Sequence, residues 1–91
     1  MIPVPLESDI EGDAIKYAKR LGWWVAKFTS PGRRGVPDRV FIRNGVVMFI
    51  EFKRLGEPLR TQQAKRIREM REHGAIVHVV DNLKDAYELF R

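Results

Sequence analysis

The stretch VPDRVFIRNGVVMFIEFK, residues 36–53, decides the fold. Asn44-Gly45 between two apolar runs is a type I′ hairpin signal, because both central residues of that turn need positive φ. A two-residue turn also sets the register. Arg43 lies opposite Val46, and paired residue numbers sum to 89. Ile42 then opposes Val47, Val40 opposes Phe49, and Asp38 opposes Glu51. Directly opposed residues share a sheet face, with Cβ atoms about 5 Å apart. Alternation brings Lys53 to the same face. The other face carries Phe41, Met48, Ile50 and Phe52. Two apolar faces predict a central hairpin covered on both sides.

Opposed like charges destabilise a sheet. Where such a pair is partly buried, one acid must protonate or a cation must neutralise both. Lys53 is one such cation. A hard divalent metal is another, and two carboxylates plus water suit magnesium. An ion cluster at the frayed sheet edge is the plain alternative, and a one-residue bulge would break the register.

Ninety-one residues make one domain, 1–91, with 1–7 expected as an extended arm. A hydrophobic content of 44% supports a modest core, which oligomerisation would help to stabilise. There is no cysteine, so disulfide frameworks and thiolate zinc sites are excluded. The opening MIPVPLES shows no secretory leader, and no apolar run approaches the roughly 20 residues of a membrane span. A cytoplasmic protein is expected. The 17 Lys and Arg against 12 acids give a net charge of +5, which favours polyanionic partners. Arg33, Arg34, Arg39, Arg43, Arg54 and Arg60 gather around the hairpin in sequence, and Arg suits bidentate phosphate contact.

The chain reads αβββαβα. Ser8-Asp9-Ile10-Glu11 fits a capping box opening the first helix, with Ile10, Ala14, Tyr17, Ala18 and Leu21 at helical spacing. Strand formers fill 23–29, and SPGRRGVP, 30–37, is a Gly/Pro loop. The hairpin strands run near 38–43 and 46–53. A charged helix is expected over 59–73, then a strand over 75–80, then a last helix capped by Asn82. Leu59, Gln63, Ile67 and Met70 make one face of the second helix, so Gln63 is the polar residue in an apolar stripe. It is either half-exposed at the helix end or aimed at the carboxylates or a scissile phosphate. Glu11 either completes the cap or lies at the sheet rim, with Glu7 as a weaker alternative. Trp23 and Trp24 must face opposite ways, one into the core. His73 and His78 have no companion at metal-ligand spacing.

These residues resemble the PD-(D/E)xK nuclease superfamily. Pro37-Asp38 is followed after thirteen positions by Glu51-Phe52-Lys53. GRRGVPDRVFI, FIEFK and LRTQQ resemble its VRR-NUC (virus-type replication-repair nuclease) branch, over roughly 8–88. The resemblance implies a restriction-endonuclease-like α/β fold: an αβββαβ core with a mixed four-stranded sheet flanked by helices, and here a short C-terminal helix. It also implies a magnesium-dependent phosphodiesterase acting on DNA, with manganese as a substitute. Asp38, Glu51 and the Phe52 carbonyl would bind the metal. Lys53 would orient or activate water, or stabilise developing charge. Glu11 would match the helical acid, holding a second metal or a metal-bound water, and Gln63 would position phosphate or water. Arg33, Arg34, Arg39, Arg54 and Arg60 are the expected DNA contacts. Stand-alone members of this size resemble Holliday junction resolvases, which act as homodimers on four-way junctions.

Three functions remain distinct. One is a structure-specific endonuclease. Another is a nicking or restriction-like nuclease, or a nuclease module working with a helicase partner. The last is a non-catalytic DNA-binding module. No P-loop or dinucleotide fingerprint points to a nucleotide cofactor.

Overall fold

The computed structural model describes residues 3–91. The elements run α1 (Glu7–Arg20), β1 (Trp24–Lys27), β2 (Arg39–Arg43), β3 (Val46–Phe52), α2 (Thr61–Glu72), β4 (Ile76–Val80) and α3 (Leu83–Phe90). They form one mixed sheet in the order β1-β2-β3-β4. The first two pairings are antiparallel and β3–β4 is parallel.

Asn44 and Gly45 turn the hairpin with φ of 49° and 80°. The register is the expected one: Arg43 pairs with Val46, Ile42 with Val47, Val40 with Phe49 and Arg39 with Ile50. No bulge interrupts it. The parallel β3–β4 pair needs a crossover, and α2 supplies it.

One sheet face is fully covered. Phe41, Met48, Ile50, Phe52 and Val80 pack there against Ile10, Ala14 and Ala18 of α1 and Ala86 and Phe90 of α3. Each large side chain buried this way contributes roughly 1.5–3 kcal/mol. Trp23 joins this core and donates its indole N–H to the Phe90 carbonyl at 3.0 Å, closing the end of α3. The opposite face is covered only in part. Ile67 of α2 and Val77 of β4 are buried there, but Trp24 keeps 59% of its surface exposed and Val47 keeps 43%. The expectation of a hairpin covered on both faces is therefore corrected: α2 sits toward β4 and leaves the β1–β2 side open.

The helix starts also differ from expectation. The N-cap of α1 is Leu6, not Ser8, because Asp9 reaches back to accept the Leu6 N–H at 3.3 Å. The helix thus begins at Glu7, inside the stretch read as an arm; residues 1 and 2 of that arm lie outside the described residues. For α2 the cap is Arg60, whose N–H is accepted by Gln63 Oε1 at 3.0 Å. Asn82 caps α3 as expected, accepting the Asp85 N–H at 2.9 Å.

Candidate active site

The site forms where the β2–β3 ladder ends, while β3 continues to Phe52 beside β4. The ladder ends at Arg39–Ile50, and the next residues on each strand are Asp38 and Glu51. The Asp38 carbonyl accepts the Phe28 N–H at 2.8 Å, which holds its backbone against the end of β1. Pro37 just before it is buried. Glu51 and Lys53 are each only 2% exposed, two ionisable side chains inside a small domain. Between them Phe52 buries its ring in the α1/α3 core, which locks the strand and aims its neighbours to the other face.

One carboxylate oxygen each from Glu7, Asp38 and Glu51 lie within 4.8 Å of one another. Glu7 comes from the first turn of α1. Glu11, one turn on, lines the same depression but is engaged elsewhere: Arg39 donates to it from Nε at 3.3 Å and from Nη2 at 3.5 Å. The expected helical acid is thus met by a guanidinium, and the neighbouring Glu7 takes its place in the cluster. Arg39, an expected DNA contact, is thus paired within the protein. Lys27 and Thr29 line the depression as well, and the sequence offered no signal for either.

The electrostatics follow from burial. Glu51 is pushed from an ordinary 4.5 up to about 8, first by desolvation, then by the Asp38 charge; Lys53 pulls the other way. Asp38 is raised by desolvation and by Glu11, and Glu7 by desolvation and by Asp38. The contact between the two carboxyls raises Glu51 and lowers Asp38.

Glu51 Oε2 accepts from Gln63 Nε2 at 3.2 Å, and so Gln63 reaches the carboxylates, as the apolar stripe suggested. Glu51 Oε1 is buried with no donor. An orphaned buried oxygen beside two further carboxylates is a donor set for a hard divalent cation, which takes oxygen ligands. Asp38, Glu51 and Glu7 would hold it.

Around the site, Arg34 and Arg60 line a groove with Asp38, Thr61, Gln62 and Gln63. Arg33 lies on the far side of the same loop, facing Phe28, Val36 and α2. Arg54 is exposed just after Lys53. Among the described residues, no helix is long and apolar enough to cross a membrane.

The VRR-NUC domain model matches residues 10–82. The chain is 38% identical over 77 residues to "Putative nuclease p44" of Acyrthosiphon pisum secondary endosymbiont phage 1, covering 84% of this chain and 83% of that protein. A solved structure described as a VRR_NUC domain superposes with a TM-score of 0.73 at 34% identity, over 88% of this chain and 92% of the other. A second, a VRR_NUC domain protein, gives 0.80 at 15% identity over 96% and 86%, a likeness of fold. Family model, relative and architecture agree: the chain belongs to the VRR-NUC domain family, a family of nucleases.

Proposed function

We propose that this nuclease is a magnesium-dependent, structure-specific DNA endonuclease that cuts four-way junctions as a homodimer, with manganese able to replace magnesium. The observation that carries the reading is the convergence of Glu7, Asp38 and Glu51 beside buried Lys53. Such an arrangement costs stability in the free protein, since Glu51 must take up a proton to be tolerated. A non-catalytic binding module has no use for that cost.

In this reading Asp38, Glu51, Glu7 and the Phe52 carbonyl hold the metal. A bound magnesium supplies a Lewis acid and lowers the pKa of water. Lys53 presents its ammonium to the nonbridging phosphate oxygens and stabilises charge that builds on them during attack. Its burial keeps bulk water from screening that charge. Arg33, Arg34, Arg54 and Arg60 neutralise neighbouring phosphates. Glu11 holds Arg39 at the rim instead of binding a second metal. A two-fold pair of sites fits symmetric cutting of a junction, and the open apolar patch at Trp24 and Val47 suits a partner copy. We take the working compartment to be the cytoplasm, consistent with a cysteine-free chain that needs no oxidising environment.

The test incubates a labelled four-way junction and its matched linear duplex with magnesium, manganese or EDTA, alongside Asp38→Asn and Lys53→Ala. Paired, metal-dependent cuts confined to the junction and lost in both variants are expected. Equal cutting of both substrates would remove the junction preference and favour the nicking or restriction-like alternative. Binding without cutting under any metal would overturn the enzyme reading, or move activation to a helicase partner.

A further inference from the structure

The loop that carries Arg33 and Arg34 is seated on the first turn of α2. Gly35 has φ +88°, and a Cβ there would lie 2.5 Å from the Gln62 carbonyl oxygen and 2.7 Å from its carbon. Only glycine permits so close an approach of two backbones. Arg66, one turn further along α2, donates from Nε to the Arg34 carbonyl at 3.1 Å and fastens the same loop.

The peptide under Gly35 joins Gln62 to Gln63, and the Gln63 side chain is used at both ends. Its Oε1 accepts the Arg60 N–H, and its Nε2 donates to Glu51 Oε2. The amide cannot turn over, because its oxygen must face the Arg60 N–H, which offers only a proton. A continuous line therefore runs from the arginine loop, through the first turn of α2, to the carboxylate whose second oxygen is left open.

We infer that Gly35 and Gln63 are positioning residues for Glu51. The seating of the arginine loop on α2 fixes Gln63, Gln63 fixes the Glu51 carboxylate, and cation affinity at Glu7, Asp38 and Glu51 depends on that line. This rests on the metal reading above. Gln63 then acts through Glu51 rather than on the scissile phosphate. Partners that orient metal-binding side chains are typically worth about 10–100-fold in affinity.

The experiment titrates Mn2+ into the DNA-free protein, follows the free ion by electron paramagnetic resonance, and records thermal melts in parallel. The variants are Gln63→Met, which removes both hydrogen bonds at similar volume, Gly35→Ala, the double variant, and Gln62→Ala as a control. Gln63→Met and Gly35→Ala are each expected to weaken Mn2+ binding by about tenfold or more. The double variant should bind no worse than Gln63→Met, because Gly35 acts through Gln63. Gln62→Ala should match wild type, since only its backbone is part of the seat. The inference is overturned if Gln63→Met binds Mn2+ within about twofold of wild type, or if Gly35→Ala lowers the melting temperature and leaves affinity untouched. Losses that multiply in the double variant would also overturn it. Failure of the wild-type protein to bind Mn2+ would instead remove the metal reading itself, and this inference with it.

Discussion

Arg39 and Glu11 face one another across the rim of the site, Nε to Oε2 at 3.3 Å, on side chains only 20% and 25% exposed. This pairing divides two acids that sit one helical turn apart. Glu11 has its counter-charge in the protein, whereas Glu7 points its oxygen at Asp38 and Glu51. Glu7→Gln is therefore expected to abolish junction cutting, by more than about 100-fold, and to weaken Mn2+ binding. Glu11→Gln should cost less, about 10–100-fold at most, the scale of an outer-shell change. Cleavage rates and Mn2+ titrations on the two variants check the order; the reverse ranking would return the metal to Glu11.

Stability of the metal-free protein should fall as the pH rises toward 8. Glu51 holds its proton up to about 8 when folded and releases it near 4.5 when unfolded. Between those values the unfolded chain binds fewer protons, so raising the pH favours unfolding. His78, lowered below 6.5 by burial, acts in the opposite sense, but only below 6.5 where the unfolded imidazole still charges. The window from 6.5 to about 8 is thus free of His78 and reports the carboxylate cluster, Glu51 foremost, with Asp38 and Glu7 acting in the same sense. A loss of about 1–2 kcal/mol is expected there, given about 1.4 kcal/mol per pH unit. Glu51→Gln should flatten the slope and raise the melting temperature at pH 8 in EDTA. A variant that melts below wild type at pH 8 would contradict the burial account.

Much of this site was legible because a strand has period two and an Asn-Gly turn has one register. Those two facts bring Asp38 to Glu51 and Lys53 to the same face. The helical stripe likewise carried Gln63 toward the sheet. What stayed hidden depends on contacts that no local pattern encodes. The start of α1 turns on whether Asp9 or Glu11 reaches back to a cap, and the choice of Asp9 moves it by two residues, from Ser8 to Leu6. The seat of Gly35 on α2 joins a loop residue to a helix residue far along the chain, and a glycine in SPGRRGVP reads only as a turn. The coverage of the second sheet face depends on where the crossover helix lands, which composition leaves open.

Arginines at the rim should separate by their partners. Arg34 lines the groove beside Asp38 and engages the protein through its carbonyl, so its guanidinium remains available to phosphate. Arg39 is spent on Glu11. Arg34→Ala is expected to lower the slope of log affinity against log salt by about 0.9, the loss of one phosphate contact. Arg39→Ala should change that slope by much less. Fluorescence anisotropy with junction DNA between about 50 and 200 mM salt, in EDTA to prevent cutting, measures both. An Arg39→Ala slope change equal to that of Arg34→Ala would show that the rim pair opens on binding.

Trp24, Ile42 and Val47 follow one another across β1, β2 and β3 in the observed register, so they form one row on the open sheet face. Trp24 and Val47 there are 59% and 43% exposed, and the row lies on the same face as Glu51. An exposed tryptophan in a row of aliphatic residues is an anchor of the kind that dominates protein interfaces. The wild-type chain is expected to scatter light as a species of twice 10.6 kDa at micromolar concentration. Trp24→Lys should give the monomer without a loss of thermal stability beyond that of losing the partner, because the side chain takes no part in the core. The monomer should still cut single strands of a junction but lose the paired incisions, since one site reaches one strand at a time. A wild-type protein that stays monomeric with and without junction DNA would refute the homodimer, and a Trp24→Lys dimer would move its interface off this row.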